Sequence, residues 1–272
     1  MSSATPRLLA VGRLLGALIV PAFFYSCQNP SAILASNSKE STLQSANELL
    51  REAYNAEFFE KNDPKAFRLA SAAADLGSVD AMLCAARILQ RSSSFSDHLT
   101  RAFEYDKKAA DAGSTDGLFW VAEAYFNGKG VPQNYAKALE GYNIFLTRLN
   151  GDKDKANRLT IALAESHIGD AYFNGWGVKQ NMDVALKWHL QSAMHGLHIA
   201  QFLVGEYYEK GIATPADKVK AYAWYSVAAT TAQEPKREYS AAIARLWSQL
   251  DGIERARAQE IAAQLFQSTK NE

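Results

Sequence analysis

Cysteine is scarce in this 272-residue chain, with two residues, Cys27 and Cys84, far apart. So thin a supply excludes a disulfide framework, and no Cys-x-x-Cys pair offers half of a zinc site. Cys84 stands in the apolar stretch AMLCAARIL and reads as a small buried hydrophobe. An excess of charge of either sign is also missing, since Lys plus Arg and Asp plus Glu each total 29. That balance argues against a general nucleic-acid binder, whose mark is a basic excess. No polybasic run is present to hold the chain on anionic lipid. Sustained runs of β-branched residues are absent, as are Gly-x-Ser-x-Gly, His-Glu-x-x-His and phosphate-loop patterns. What is there, 48% hydrophobic and 21% charged residues, is the composition of a globular protein.

The first 35 residues carry no acidic side chain. Arg7 and Arg13 precede the apolar run LLGALIVPAFF, and SCQNPSAILASNS then turns small and polar. This is the order of a secretory leader. The run is shorter than the ~20 residues that a membrane-spanning helix needs, and Pro21 interrupts it. Two fates are open for the leader. Cleavage can fall near Ala32 or Ala35, or Cys27 can be lipidated and give the chain its one link to a membrane. The stretch FYSC resembles a bacterial lipoprotein box through Ser26, but departs from it at Phe24 and Tyr25. Residues 1–35 are therefore expected to be a leader for export to the periplasm or the exterior, and residues 36–42 a linker.

From about residue 43 apolar and Ala positions recur at three- and four-residue spacing, which predicts helix throughout. YFNGKGVPQNYAKAL from Tyr125 and YFNGWGVKQNMDVAL from Tyr172 lie 47 residues apart and share ten of fifteen positions. The segments VAEAYFNG (121–128), IGDAYFNG (168–175) and VGEYYEKG (204–211) each precede a turn. YAKALEGYNIF (135–145), MDVALKWHLQSAMHG (182–196) and KVKAYAWYSVAA (218–229) each follow one. PKAFRLASAAADLG (64–77) and TRAFEYDKKAADAG (100–113) are earlier second helices of the same kind. Gly77 to Gly113 and Gly175 to Gly211 both span 36 residues. Helix pairs at a period in the mid-thirties imply an α-solenoid.

The fixed residues have mechanical roles. Gly128, Gly130, Gly175 and Gly177 stop first helices, where a left-handed residue is wanted. Gly77, Gly113 and Gly196 end second helices. Ala138, Ala185 and Ala221 are small where two helices should approach. Val131 and Val178 should plug the turns, and Tyr125, Tyr172 and Tyr208 should fill the space between units. The 47-residue period comes from an insertion at 146–160, read as longer helix ends around a charged turn at Asn150-Gly151. Beyond residue 238, two more amphipathic helices divided at Asp251-Gly252 should cap the array. Trp247 and Phe266 should pack on the last unit, and Arg245, Glu254, Arg255 and Arg257 should face solvent.

The pattern Ile168-Gly169-x-x-Tyr172-x-x-Gly175-x-Gly177-Val178, followed by Ala185-x-x-Trp188 and Gly196, resembles the Sel-one-like (Sel1-like) repeats, relatives of the tetratricopeptide repeats. The resemblance covers about residues 43–238 in about five units, and its first two units depart from the pattern. It implies an all-α, right-handed solenoid of helix-turn-helix repeats with residues 239–272 as C-terminal cap. It also implies a non-catalytic adaptor that uses no cofactor and binds other proteins.

The tetratricopeptide register further implies a concave groove lined by first helices. It would hold an acidic row, Glu123, Asp170 and Glu206, with Phe119, Ser166 and Phe202 three residues before the small position. Phe126, Asn127, Phe173, Asn174, Glu209 and Lys210 would flank it. Such a groove suits a basic or amphipathic peptide or helix. His189, His195 and His198 invite a metal reading, but Gly196 should break the helix between them, and surface or loop histidines are the simpler reading. An exported hydrolase or metal-dependent enzyme on a helical scaffold is one alternative. Binding of envelope polysaccharide or peptidoglycan is the other.

Overall fold

The computed structural model describes residues 37–92, 97–149, 158–234 and 236–271. Among them every regular element is helical. The chain divides into two compact units, one ending at Lys155 and one beginning at Ala156. The division falls inside the insertion. The expected leader with Cys27, and the turn at Asn150-Gly151, lie outside the described residues.

The first unit holds six helices: α1 (Asn37–Tyr54), α2 (Asp63–Asp75), α3 (Val79–Arg91), α4 (His98–Asp111), α5 (Thr115–Asn127) and α6 (Tyr135–Leu149). A single π turn, Asn55–Phe59, continues α1. Each helix packs on the next. Alanine makes this possible: Ala46, Ala53, Ala66, Ala70, Ala73 and Ala81 are fully buried with Cys84 and Ile88 in one cluster. Small side chains let backbones approach closely, and the close-packed interior then leaves little room for change. In the π turn the Glu57 carboxylate is fully buried and pairs with both Arg87 and Arg91 of α3.

The second unit holds α7 (Arg158–Asn174), α8 (Met182–Met194), α9 (His198–Lys210), α10 (Lys218–Thr231), α11 (Arg237–Trp247) and α12 (Gly252–Asn271). Helices α7 to α11 pack consecutively, and α12 turns back across α10 and reaches α8. The insertion does lengthen a helix end, since α7 has 17 residues where α5 and α9 have 13. Asp251 and Glu254 form a reciprocal cap: the Glu254 N–H donates to Asp251 Oδ1 at 2.8 Å and the Asp251 N–H to Glu254 Oε2 at 3.0 Å. Trp247 meets Tyr222 of α10 at 5.3 Å, as expected of a cap residue. Arg255 departs from expectation. Its guanidinium lies over the Trp247 ring and donates to the Trp247 carbonyl, because a helix end offers bare carbonyl oxygens to a cation. Arg158 donates to the carbonyls of Met194 and Thr269, tying α12 to the start of α7.

The repeated phrase is a turn code. Asn127 and Asn174 donate from Nδ2 to the carbonyls of Glu123 and Asp170 at 3.0 and 2.8 Å. Gln133 and Gln180 donate from Nε2 to the carbonyls of Phe126 and Phe173 at 2.8 and 2.7 Å. Asn134 and Asn181 accept from the N–H three residues on and cap the second helix, a bond worth about 1 kcal/mol. Asp217 does the same in the last repeat. Gly128, Gly130, Gly175, Gly177 and Gly211 all have positive φ. Ala213 takes the second glycine's place in the last repeat at φ +55°.

Candidate functional site

Four residues after each small alanine of a second helix comes an inner position. After Ala138, Ala185 and Ala221 it holds Tyr142, His189 and Tyr225, all 1% exposed or less. Each ring turns toward acids of the preceding first helix. The Tyr142 hydroxyl donates to Glu123 Oε1 at 2.7 Å. His189 Nε2 lies 3.2 Å from Asp170 Oδ1, and its Nδ1 lies 3.0 Å from the Tyr207 hydroxyl. With Nε2–H donating to the carboxylate, Nδ1 accepts from Tyr207. The Tyr225 hydroxyl donates to Glu209 Oε2 at 2.7 Å, and Arg245 grips the same carboxylate with both terminal guanidinium nitrogens. Burial first, and then the neighbouring carboxylates, push the hydroxyls of Tyr207 and Tyr225 far above their usual range.

Most residues expected to line an open groove are therefore placed inside the helix pairs. In the first unit Phe119 is core, against Tyr142 at 6.0 Å and Phe145 at 5.5 Å. Phe126 is core against Tyr135, and Glu123 is 6% exposed. In the second unit Asp170, Phe173 and Ser166 are buried, Phe173 meeting Tyr207 at 5.9 Å. Asn127 and Asn174 spend their amides on their own helices. Phe202 is half-buried between Tyr225 and Tyr239, with ring centroids 4.7 and 4.6 Å away. Glu206 accepts from Lys210 at 2.5 Å and stays partly open, with 26% of its side chain exposed. The reason is one of register: Glu123 and Asp170 point at a ring on the following helix.

The histidines need a similar correction. His189 is neither surface nor loop; it is a buried core group. His195 Nδ1 lies 2.7 Å from Glu165 Oε2, and His198 Nδ1 lies 2.9 Å from the Tyr239 hydroxyl. Burial, with Lys236 nearby, pushes the His198 imidazole down. The three rings thus have three separate partners. Among the described residues no group of three or more His, Cys, Asp or Glu is arranged to hold a metal ion.

Two inner positions lack a ring, and the first is the fully buried Ala70, four residues after Ala66. Four residues after Ala102 stands Asp106, 2% exposed. Its Oδ2 accepts from Gln90 Nε2 at 2.8 Å, and burial pushes its carboxyl well above the usual carboxylate range. Where repeats three, four and five carry a ring, repeat two carries this carboxyl. A cleft of about 40 Å³ lies there, lined by Leu99, Ala102, Phe103 and Asp106 of α4, Gln90 of α3, Trp120, Glu123 and Ala124 of α5, and Lys129. Of these, Gln90 and Lys129 are exposed. Asp106, Tyr142, Tyr207 and Tyr225 were not picked out from sequence, although counting four residues on from each repeated alanine would have found the three inner positions.

The profile of the Sel1 repeat matches residues 46–78, 97–114, 115–140, 162–197 and 198–230, more than half of the chain. No functionally curated protein matches. Among solved structures, a Sel1 repeat protein from Oxalobacter formigenes is 23% identical, with a TM-score of 0.61, over 80% of this chain and 87% of that one. The protein c5321, a protective antigen present in uropathogenic Escherichia coli strains that displays an SLR fold, is 21% identical, with a TM-score of 0.51. That match covers 85% of this chain, which spans 56% of the length of the other.

Proposed function

From the premise that the chain belongs to the Sel1 repeat family, whose members are generally non-catalytic scaffolds that bind other proteins, we propose that it is an exported scaffold. It holds a partner protein in the envelope or outside the cell and performs no chemistry of its own. The observation that carries this reading is where the reactive-looking side chains are used. Glu123, Asp170 and Glu209 are hydrogen-bonded to Tyr142, His189 and Tyr225 within the packed helices. Groups committed in this way set the register of helix pairs; they are not free to attack a substrate or exchange its protons. What is left for function is surface shape and charge. Export rests on the basic, apolar and small-residue order of the first 35 residues.

The test is to express the full chain with a C-terminal tag in a bacterial host, fractionate the cells, and read the mature N-terminus by mass spectrometry. In-cell cross-linking before purification traps the partner. The expected result is a processed N-terminus, an envelope or external location and a stoichiometric partner. A chain that keeps its first residues in the cytosolic fraction overturns export. A chain that cross-links to nothing overturns the scaffold.

A further inference from the structure

The contact between cap helix α11 and α9 is built around one histidine. His198 is the first residue of α9, and its Nδ1 lies 2.9 Å from the Tyr239 hydroxyl of α11. The Tyr239 ring stacks on Phe202, one turn further along α9, with centroids 4.6 Å apart. Arg245 of α11 closes the other end of the contact on Glu209. The surroundings of His198 favour its neutral form. Helix α9 begins without a side-chain cap at Leu197 and without an acid in its first turn, so the bare N–H groups there oppose a cation. In this α9 differs from α3, α5, α8 and α10, which Ser78, Ser114, Asn181 and Asp217 cap. Lys236 adds a second positive charge nearby.

We propose that His198 is an acid-sensitive latch: neutral, it holds the first turn of α11 against α9; protonated, it lets that turn lift and bares Phe202. The charged and titratable groups around it come from four helices. α11 and its approach bring Lys236, the Tyr239 hydroxyl, and Glu234, Arg237 and Glu238, which are exposed. α8 ends at His195, whose Nδ1 is turned to Glu165. α10 returns alongside α9 and carries its charges, Lys218 and Lys220, at the far end. Those of α9 itself, Glu206, Glu209 and Lys210, stand two or more turns away. Burial, and then Glu238, push the Tyr239 hydroxyl above its usual range, so it keeps its proton. Neutral Nδ1 accepts that proton in a hydrogen bond. An imidazolium carries its own proton on Nδ1, so the bond must reverse, beside Lys236 and the start of α9.

The pH window follows from the direction of the shift. Burial, and then Lys236, hold the imidazole below its ordinary value of 6.5. Above 6.5 the closed and lifted forms are both neutral, and the latch is at full strength. As the pH falls below 6.5 the lifted form takes up a proton that the closed form refuses, so closure weakens. The neighbouring ion pair does not share this window. Burial works against the Glu209 carboxylate, but the bonds from Arg245 and Tyr225 prevail and hold it below the usual carboxylate range. Arg245 therefore keeps its grip at pH 5, and the change is confined to the first turn of α11.

The latch is a property of the fold and stands or falls apart from the scaffold reading. The experiment follows the His198 ring protons by NMR in the full chain from pH 8 to pH 5. Alongside, it reads amide hydrogen exchange at residues 240–242, corrected for intrinsic rates, since a helical turn lifted from its support frays. The expected result is a His198 titration below 6.5 and severalfold faster exchange at pH 5 than at pH 7, with α10 amides unchanged. His198→Gln still accepts from Tyr239 but does not titrate, and its exchange should stay flat. Lys236→Gln should raise the His198 titration and lessen the acceleration. A titration at or above 6.5 overturns the latch, as does one that Lys236→Gln leaves unmoved. An acceleration under about twofold also overturns it, as does one that His198→Gln retains.

Discussion

Replacing Gly141 by Ala tests whether helix pairs in this protein meet at the distance described. Gly141 lies within α6, where Ala is ordinarily better than Gly by about 1 kcal/mol. A Cβ built at Gly141 comes 2.8 Å from the Ala122 Cβ of α5, well inside the ~3.5–4.0 Å at which two carbons attract. Neither methyl can rotate away, so the helices themselves must part. Overpacking of this kind costs about 1–3 kcal/mol, and Gly141→Ala should destabilise by about 1 kcal/mol despite its better helix propensity. Ala122→Gly alone should cost about 2 kcal/mol, from one buried methyl and lost propensity. The double variant moves the methyl from one helix to the other and should return to within about 1 kcal/mol of the native chain. That is a coupling of about 2 kcal/mol. Urea unfolding followed by far-UV circular dichroism, with equal m-values, supplies all four corners of the cycle. Strictly additive effects, or a stabilised Gly141→Ala, would refute the close approach.

Three further outcomes follow from named residues. Glu57→Ala leaves Arg87 facing an empty, apolar site and should destabilise by about 3 kcal/mol, read from the same urea curves; a loss under 1 kcal/mol sinks the account of the pair. Ala213→Gly relieves a left-handed conformation that costs a residue with a Cβ about 1–2 kcal/mol, against about 0.5–1 kcal/mol of added chain entropy. The melting temperature should rise, and a fall would contradict the turn geometry. Asp106 holds its proton more tightly folded than unfolded, so it contributes stability at low pH that is lost as the pH rises above the ordinary value of 3.8. The stability of Asp106→Asn relative to the native chain should therefore grow between pH 4 and pH 7, and a flat difference would show the carboxyl to be solvated.

The turns were the most legible part of the sequence. Phe-Asn-Gly-x-Gly-Val-x-Gln-Asn specifies local geometry, and each of its polar side chains bonds within a few residues of itself, as Asn127 and Gln133 do. Local bonds leave local signatures. The helix boundary at Asp251-Gly252 was legible for the same reason, although Glu254's part in the cap was not. The acidic row was legible as a register but not as a set of partnerships. Glu123 meets a tyrosine 19 residues later, and Asp170 a histidine 19 residues later. The residue between turn and ring varies too much for either sequence to announce the pair. His189 illustrates the cost: beside His195 and His198 it looked like one of a cluster, and burial separates it from both. Arg255 was placed in solvent by its helix period, which carries no information about the carbonyls exposed at the preceding helix end.

Repeat arrays make departures from the pattern more informative than the pattern. In repeats three, four and five an acid on the first helix faces a ring on the second. Repeat two replaces both: Arg87 stands 36 residues before Glu123, and Asp106 stands 36 residues before Tyr142. An exchange of that kind would ordinarily close on itself, with arginine and aspartate forming an ion pair in the middle of the repeat. It does not, because Glu57 in the π turn of the first repeat takes both terminal guanidinium nitrogens of Arg87. The π turn inserts one extra residue into the helical path, and in doing so it brings a buried carboxylate to the arginine from outside the repeat. Asp106 is then left with an amide for a partner and space beside it. Two substitutions and one helical irregularity, each costly alone, have a common result, a buried acid beside a small open cleft. Stability by itself would favour the tyrosine that three neighbouring repeats retain in aromatic form.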